Sequence, residues 1–388
     1  MKPNNVIAKT LSLQVKEILP SQEGLERLME KRKIRVYFGV DPTGTHLHLG
    51  HAIPLRKLRH FQDLGHEVIL LFGTFTARIG DPTGKDEARK PLTDKEIKEH
   101  ISTYKKQAGK ILDLSQAKIL RNEDWLGKLK LGEVLEIASR VTVARLLERD
   151  MFQQRIEEGR EIWTHELLYP LLQGYDSVAM DVDLEIGGTD QTFNMLMGRR
   201  LQEAYNQKEK YILTTPLLIG LDGRKMSKSY GNTVNMLDSP LEMYGKLMSL
   251  RDDLMAHYFE LCTDISTEDV ERMSGELSPR DLKAHLACVI TAIYHGEEKA
   301  RRAEQEFEKI FRSKELPSTI PSIIISKQEI GVMDLLLQSK LCTSRNEAKR
   351  VIEQGGVKID GKTAKEDSFV QKGSVVQKGK RLFVRVAQ

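Results

Sequence analysis

Cysteine is scarce in this sequence, which has only Cys262, Cys288 and Cys342. Their odd number and wide spacing argue against a disulfide framework and favour a reducing, cytoplasmic compartment. No Cys-x-x-Cys pair occurs, so a thiolate zinc site is not expected. No apolar run reaches about 18 residues, and residues 1–16 lack the charged start and apolar block of a secretory signal. Neither a membrane span nor a leader is therefore expected.

The chain as a whole also lacks a strong surplus of charge of either sign. Its 60 Lys and Arg residues stand against 56 Asp and Glu residues, a formal net charge of +4 over 388 residues. Residues 330–388 nevertheless hold 12 basic and 6 acidic residues, a net charge of +6, and the remainder carries −2. A basic end on a slightly acidic body predicts that the C-terminal part contacts a polyanion.

The N-terminal part has the pattern of a βαβ unit. Residues 34–40 (IRVYFGV) are rich in β-forming residues and end at the turn Asp41-Pro42-Thr43-Gly44. Apolar residues then recur at helical spacing over 51–64, and residues 68–72 (VILLF) form a second apolar run. Continuous apolar strands favour a parallel sheet that is covered on both faces, and ligands bind at the carboxyl ends of such strands.

The rest of the chain divides into segments that differ in predicted secondary structure. Further strands are predicted at 118–120, 184–186 and 217–219, and residues 124–168 form a helical insertion that could bury surface against a second subunit. We expect a catalytic domain over 1–233, an α-helical domain over 234–315, a linker over 316–329 and a small α+β domain over 330–388. The small domain has two short helices, at 332–338 and 344–354, and a hairpin turn at Asp360-Gly361.

Histidines cluster where the helix predicted over 51–64 begins. In the segment Thr45-His46-Leu47-His48-Leu49-Gly50-His51, His48 and His51 are three residues apart, so both side chains can face one ligand. Gly50 allows close approach of a flat ring or a phosphate, and a helix N-terminus favours anions. A metal site is the alternative, although no carboxylate or thiol nearby in the sequence completes a ligand set.

A second motif follows the strand predicted at 217–219. The segment Gly223-Arg224-Lys225-Met226-Ser227-Lys228-Ser229 carries two ammonium groups, Lys225 and Lys228, and Gly223 and Gly231 flank it as candidate hinges. A mobile loop of this kind can close on a triphosphate and neutralise charge that develops there. A basic loop alone is usually solvated surface, but the two motifs occur together, in this order, in one chain.

The HLGH and KMSKS segments together resemble the class I aminoacyl-tRNA synthetases, with Leu49 where that family commonly has Ile. Four further segments resemble bacterial tyrosyl-tRNA synthetases: YFGVDPT at 37–43, IGDPTGK at 79–85, YPLLQGYD at 169–176 and GGTDQ at 187–191. Residues 344–361 resemble the S4 RNA-binding domain. The resemblance covers essentially the whole chain and implies an α/β fold: a Rossmann-like parallel-sheet catalytic domain with a helical insertion, an all-α anticodon-side domain and an α+β S4-like domain.

The resemblance implies a role for each matching residue. The residues implied to bind the amino acid are Tyr37 and Asp176 at its phenol hydroxyl, Asp81, Tyr169 and Gln173 at its α-ammonium group, and Gln191 beside the aminoacyl group. The residues implied to contact ATP are Asp41, Gly50, Lys85, Arg89, Asp190 and Lys228. The residues implied to act on the transition state and the leaving pyrophosphate are Thr43, His48, His51, Lys225 and Lys228.

The basic tail has its own candidate contact face. Arg345, Lys349 and Arg350 lie on the helix predicted at 344–354 and would contact RNA phosphates. A solvated helix face is the alternative, and it is the more common fate of such charges.

The implied activity has two steps. L-tyrosine and ATP give tyrosyl-adenylate and pyrophosphate, and tyrosine then passes to the 3′ end of tRNA(Tyr). Mg²⁺ would accompany the ATP with no resident metal, and the family implies a cytoplasmic homodimer without membrane contact. The alternatives are a tryptophanyl-tRNA synthetase, a nucleotidylyltransferase with an HxGH element, and an RNA-binding protein descended from a synthetase that lost its chemistry.

Overall fold

The computed structural model describes residues 3–82, 92–227, 230–310, 320–325, 328–379 and 382–387. Contacts between residues group the chain into two compact units. The first comprises Met1–Asp238 and Ser249–Leu286, and the second comprises Ser239–Met248 and Ala287–Gln388. No helix in these described ranges combines the length and apolar character needed to cross a bilayer.

A six-stranded sheet forms the centre of the first unit. Its strands are β1 (Glu17–Leu19), β2 (Arg35–Val40), β3 (Glu67–Phe72), β4 (Lys118–Arg121), β5 (Leu184–Gly188) and β6 (Tyr211–Thr215). The order is β1-β6-β5-β2-β3-β4, and every pair is parallel except β1 with β6. The predicted parallel sheet is confirmed. Strands β3 and β4 lie on one side of β2, and β5 and β6 lie on the other, so the strand order reverses between β2 and β5. A ligand-binding crevice is expected at the carboxyl ends of the two strands at such a reversal.

Two features of the sheet differ from the prediction. The strand expected at 217–219 is wrong, because the last parallel strand is β6 and it ends at Thr215, directly before Pro216. Proline has no N–H to donate to a sheet ladder, which explains why the strand ends there. Neither β6 nor the edge strand β1 was predicted, and the three residues of β1 are too few to show a periodic pattern.

Helices connect the strands of the first unit. Before the helical segment that follows residue 238, they are α1 (Pro3–Ser12), α2 (Gln22–Lys31), α3 (Leu49–Asp63), α4 (Thr76–Ile79), α5 (Asp94–Ala108), α6 (Glu123–Leu126), α7 (Leu131–Ser139), α8 (Val143–Leu147), α9 (Asp150–Glu157), α10 (Thr164–Met180) and α11 (Thr192–Asn206). The helix predicted over 51–64 is α3, which ends just before Gly65, a residue with a φ of +73°. The insertion predicted as helical contains α6 to α9.

Residues 239–310 of the predicted α-helical domain, 234–315, contain no strand. Its helices are α12 (Pro240–Met248), α13 (Met255–Cys262), α14 (Thr267–Glu276), α15 (Pro279–His295) and α16 (Glu297–Glu308). The compact units group these helices differently from the four predicted domains, since α12 and α16 belong to the second unit and α13 and α14 to the first. The four-part division therefore stays a prediction.

The C-terminal part of the second unit is a small α+β structure. Its elements are β7 (Ser322–Ile323), β8 (Glu329–Gly331), α17 (Val332–Gln338), α18 (Arg345–Glu353), β9 (Val357–Ile359), β10 (Lys362–Thr363), β11 (Phe369–Gln371), β12 (Val375–Lys378) and β13 (Leu382–Val386). Both predicted helices and the hairpin between β9 and β10 are confirmed. Asp360 and Gly361 have φ values of +47° and +84°, as a type I′ turn requires. Within the predicted linker, β7 pairs with β13.

Candidate active site

Asp41, directly after β2, lies at the carboxyl edge of the central sheet. The Thr76 hydroxyl donates to its Oδ1 at 2.8 Å, and the Tyr169 hydroxyl donates to its Oδ2 at 2.9 Å. A side chain on Gly73 would overlap the Asp41 carboxylate, so this end of β3 needs glycine. Residues from β2, α4 and α10 thus meet at one carboxylate, where the strand order predicts a ligand site.

Tyr37 and Asp176 form the buried end of the site. Tyr37 is 1% exposed, and its hydroxyl lies 3.0 Å from Ser177 Oγ. Asp176 is 2% exposed and accepts hydrogen bonds from Trp125 Nε1 at 2.7 Å and from Asn122 Nδ2 at 3.2 Å. These donors fix the carboxylate in one orientation, as recognition of a polar group on a ligand requires.

The environment keeps the proton on the Tyr37 hydroxyl. Burial raises the pKa of Tyr37 well above its usual value, and the neighbouring carboxylates of Glu185 and Asp176 act in the same direction. Burial also raises the pKa of Asp176, against the effect of the hydrogen bonds from Trp125 and Asn122. The Tyr37 hydroxyl therefore stays protonated and can donate a hydrogen bond.

A second polar group surrounds Asp81. Gln191 Nε2 donates to Asp81 Oδ2 at 2.7 Å, and Asn194 Nδ2 donates to Gln191 Oε1 at 3.0 Å. Arg149 approaches Asp81 Oδ1 to 3.8 Å and places its guanidinium 5.2 Å from the centre of the Phe193 ring. This arrangement offers carboxylate and amide oxygens, which suit an ammonium group, beside a buried arginine.

The histidine motif begins α3. His48 occupies the N-cap position, its ring centre lies 3.9 Å from that of His51, and its backbone N–H donates to His51 Nδ1 at 3.3 Å. A Cβ on Gly50 would lie 3.0 Å from His48 Nδ1, so glycine leaves the rings their place. In the described ranges, no three His, Cys, Asp or Glu side chains form a group that could hold a metal ion.

The lysine-rich loop meets the carboxyl edge of the sheet through Lys225. Its Nζ donates to Asp190 Oδ2 at 2.8 Å, in the 3₁₀ turn Thr189–Gln191 that follows β5. Asn232 holds the loop by donating to Lys225 O at 3.1 Å and accepting from Ser227 N at 2.9 Å. Lys225 and Asp190, two residues predicted on the ATP side, are therefore in direct contact. Lys85, Arg89 and Lys228 lie outside the described residues.

Other predicted residues fall around the same edge. The Thr43 backbone N–H donates to Asp41 O at 2.8 Å, which fixes the turn after β2. Gln173, one helical turn from Tyr169 on α10, donates to Glu185 Oε1 at 3.3 Å. Glu185 was not among the predicted site residues.

Comparison with known proteins identifies the family. A family model described as "tRNA synthetases class I (W and Y)" matches residues 29–312. The chain belongs to this synthetase family. Tyrosine–tRNA ligases of Thermotoga maritima and Moorella thermoacetica are each 47% identical to it, over 98% and 96% of this chain and 96% and 93% of theirs. A crystal structure of tyrosyl-tRNA synthetase complexed with L-tyrosine from Archaeoglobus fulgidus matches with a TM-score of 0.62 and 26% identity, covering 78% of this chain and 99% of that one.

The C-terminal part of the synthetase matches a second model, the S4 domain, over residues 331–376. On its helix α18, Arg345 pairs with Asp334 at 2.7 Å and Lys349 with Glu366 at 3.5 Å, and both basic side chains are more than half exposed. Arg350 is exposed on the same helix. Such exposed pairs contribute little to stability, so these cations could exchange a carboxylate for a phosphate at small cost.

Several residues around the candidate site were not predicted from the sequence. They are Asn122, Trp125, Arg149, Ser177, Glu185 and Lys210. For two of them the sequence holds a usable signal, a charged residue within or beside an apolar strand: Glu185 interrupts β5, and Lys210 directly precedes β6. No comparable signal marks Asn122 or Trp125, because their approach to Asp176 depends on how the segment after β4 packs on α10.

Proposed function

We propose that this synthetase is a tyrosine–tRNA ligase, which activates L-tyrosine with ATP and transfers it to the 3′ end of tRNA(Tyr). The observation that carries the proposal is the buried pair of Tyr37 and Asp176. A hydroxyl and an oriented carboxylate together match a phenol, which both accepts and donates a hydrogen bond. The indole N–H of tryptophan can only donate, so the same pair would leave the Tyr37 hydroxyl without an acceptor.

The proposed site holds tyrosine at both ends. Asp176 accepts a hydrogen bond from the phenol hydroxyl, and Tyr37 donates one to the phenol oxygen. At the other end, the α-ammonium group is bound by Asp81, Tyr169 and Gln173. Gln191 orients Asp81 through its 2.7 Å hydrogen bond. Phenylalanine would leave both groups at the phenol end unpaired inside the protein, which disfavours its binding. Tyrosyl-tRNA synthetases are themselves a standard example of this kind of rejection.

Activation needs positioning and charge neutralisation rather than an enzyme nucleophile. A tyrosine carboxylate oxygen forms a bond to the α-phosphorus of ATP, the bond from that phosphorus to the bridging oxygen breaks, and pyrophosphate leaves with the electron pair. His48 and His51 at the N-terminus of α3 contact the triphosphate together with Thr43, and Gly50 leaves room for the nucleotide. Asp41 lies between the amino end of tyrosine and the nucleotide.

The basic side chains of the proposed site act on the leaving pyrophosphate. Lys225 and Lys228 of the loop, with Lys85 and Arg89, neutralise the charge that accumulates there. Lys225 reaches Asp190 in the structure, so the loop can carry its ammonium to the ribose side of the nucleotide. Mg²⁺ enters as MgATP, held mostly by phosphate oxygens and water, as is usual for this ion.

Transfer follows on the same site. A hydroxyl of the 3′-terminal ribose of tRNA(Tyr) attacks the acyl carbon of tyrosyl-adenylate and forms the ester. AMP leaves with the electron pair of the broken bond, and the hydroxyl proton is released to solvent. We assign tRNA binding in part to the S4-like tail through Arg345, Lys349 and Arg350 of α18. This basic surface agrees with the net charge of +6 over residues 330–388.

A homodimer is part of the proposal. Large apolar side chains are exposed on the helical insertion, with Leu131 at 75%, Leu135 at 61% and Trp163 at 52%. An apolar surface of this kind is unfavourable in water and is typical of a protein–protein interface. A second copy of the chain is the proposed occupant. Sedimentation velocity at micromolar concentration is expected to give a dimer, and a monomer would contradict this part of the proposal.

ATP–pyrophosphate exchange tests the proposed function. We expect exchange that depends on tyrosine, with only trace rates for tryptophan, phenylalanine or no added amino acid. Exchange supported best by tryptophan would make the chain a tryptophanyl enzyme, and exchange with none of the three would refute the proposal. The matched negative control is Asp176→Ala, which removes the carboxylate proposed to bind the phenol hydroxyl.

A further inference from the structure

A buried ion pair lies behind the proposed tyrosine site. Lys210, directly before β6, is completely buried, and Glu185 of β5 is 3% exposed. The ammonium group of Lys210 contacts the Glu185 carboxylate and donates to Ser177 Oγ at 2.8 Å and to Met195 O at 3.2 Å. An ammonium group has three protons, so all three are used by these three acceptors.

Full use of these protons fixes the direction of the next hydrogen bond. Because Lys210 can only donate, Ser177 Oγ must accept from it. The Ser177 proton is then directed to the other polar neighbour that lies within hydrogen-bond distance, the Tyr37 hydroxyl oxygen at 3.0 Å. The opposite direction would leave the Ser177 proton without a partner in a buried site, which is costly. Tyr37 therefore accepts from Ser177 and directs its own proton to another acceptor, either the neighbouring Glu185 carboxylate or an oxygen of a bound ligand.

The Lys210–Glu185 pair also contacts the end of the site that is proposed to bind the α-ammonium group. Gln173 Nε2 donates to Glu185 Oε1 at 3.3 Å, so the pair contacts a residue proposed to bind the α-ammonium group. The cluster depends on Gly198 of α11, because a Cβ there would overlap Lys210 Nζ and lie 2.8 Å from Ser177 Oγ. The Ser177 hydroxyl and Gly198 thus pack directly against the Lys210–Glu185 pair.

We propose that the Lys210–Glu185 pair, acting through Ser177, determines specificity for tyrosine by making Tyr37 a hydrogen-bond donor to the substrate's phenol oxygen. The hydrogen bonds then run in one direction, from Lys210 to Ser177, to Tyr37, to the phenol oxygen and, through the phenol proton, to Asp176. Lys210, Glu185 and Ser177 are positioning residues, since they act through Tyr37. This inference rests on the proposed function, because it assumes that Tyr37 meets the phenol.

Ion pairs as deeply buried as this one need not stabilise a protein. Taking both charges out of water is costly, and apolar residues of similar volume often stabilise a protein as well or better. A purely structural role would therefore be served by an apolar pair. The hydroxyl contact from Ser177 to Tyr37 gives the charged pair a use that an apolar pair lacks, namely a fixed hydrogen-bond direction.

The first test is Ser177→Ala, which removes the link and leaves the ion pair. We expect the ratio of kcat/KM for tyrosine to that for phenylalanine, measured by ATP–pyrophosphate exchange, to fall about tenfold, the value of one hydrogen bond. The KM for ATP is expected to stay unchanged. The control Thr263→Ala removes another buried hydroxyl, which donates to Phe259 O at 2.6 Å, and should leave the ratio as it is.

A double-mutant cycle separates positioning from a general loss of structure. In a Tyr37→Phe background the hydroxyl that Ser177 orients is gone, so adding Ser177→Ala should change the ratio by less than about twofold. The combined variant Lys210→Met with Glu185→Leu removes both charges at similar volume and is a second route to the same result. We expect it also to lower the ratio at least about tenfold.

The outcomes distinguish this inference from the function on which it rests. Wild-type enzyme without tyrosine-dependent exchange would refute the proposed function. Tyrosine-dependent exchange in the wild type, with an unchanged tyrosine-to-phenylalanine ratio in both Ser177→Ala and the charge-free variant, would overturn only the inference. An equal loss from Ser177→Ala with and without the Tyr37 hydroxyl would also overturn it, because the effect would not pass through Tyr37.

Discussion

Replacing Asp176 by asparagine tests the phenol end of the site with almost no change in shape. The carboxylate accepts from Trp125 Nε1 at 2.7 Å through Oδ1 and from Asn122 Nδ2 at 3.2 Å through Oδ2. An amide has one acceptor oxygen and one donor group, so it can satisfy only one of these two donors. The other donor then faces an N–H group inside the protein.

The substitution Asp176→Asn is expected to lower two separate quantities, the stability of the free enzyme and kcat/KM for tyrosine. The donor left without an acceptor lowers the stability of the free enzyme by about 1–3 kcal/mol, the cost of a buried unsatisfied group. The lost hydrogen bond between the phenol and a charged carboxylate is worth about 1.5–3 kcal/mol on binding. At about 1.4 kcal/mol per factor of ten, kcat/KM for tyrosine should fall about 10- to 150-fold.

The assay is ATP–pyrophosphate exchange with tyrosine and, separately, with phenylalanine. Because phenylalanine has no hydroxyl for Asp176 to bind, its kcat/KM should change by less than about threefold, and the KM for ATP should not move. Asp183→Asn is the matched control, since that buried carboxylate pairs with Arg32 at the opposite edge of the sheet. Retention of tyrosine kcat/KM within about threefold, or equal losses for both amino acids, would refute the reasoning.

Three further predictions concern the loop, the tail and the pH response. Lys225→Ala should slow single-turnover adenylate formation at least about tenfold with tyrosine affinity unchanged, since its ammonium acts on the leaving group; a fall in tyrosine affinity instead would contradict this. Arg350→Gln should weaken tRNA charging and reduce its salt dependence by about one phosphate contact, with pyrophosphate exchange unaffected. Burial lowers the pKa of His66 to about 4, and its Nδ1 accepts from Ile34 N at 3.2 Å. The unfolded chain therefore binds the proton first, so Tm should fall as pH drops from about 6.5 towards 4, and His66→Gln should flatten that decline.

Much of the catalytic architecture follows from local pattern. The apolar runs of β2 and β3 and the helical spacing of α3 required no tertiary information, and the site lies at the carboxyl edge of the sheet as parallel strands dictate. His48 and His51 were expected to face one ligand because three residues separate them at a helix start, and their ring centres lie 3.9 Å apart.

The unpredicted parts depend on packing between distant segments. Ser177 and Lys210 are 33 positions apart, and nothing in either local pattern indicates their 2.8 Å contact. Asn122 and Trp125 contact Asp176 across more than 50 positions. The misplaced strand at 217–219 has a different origin, because its apolar residues resemble a strand while Pro216 separates them from the β6 ladder.

Isolation of the enzyme-bound intermediate tests the central claim most directly. Enzyme incubated with labelled tyrosine, MgATP and pyrophosphatase is passed through gel filtration, and the complex is then mixed with tRNA(Tyr) alone. We predict that close to one labelled tyrosyl-adenylate is retained per active site and that its label moves to the tRNA 3′ end without added ATP. Absence of a retained adenylate, or an adenylate whose tyrosine does not transfer to the tRNA, would contradict the account.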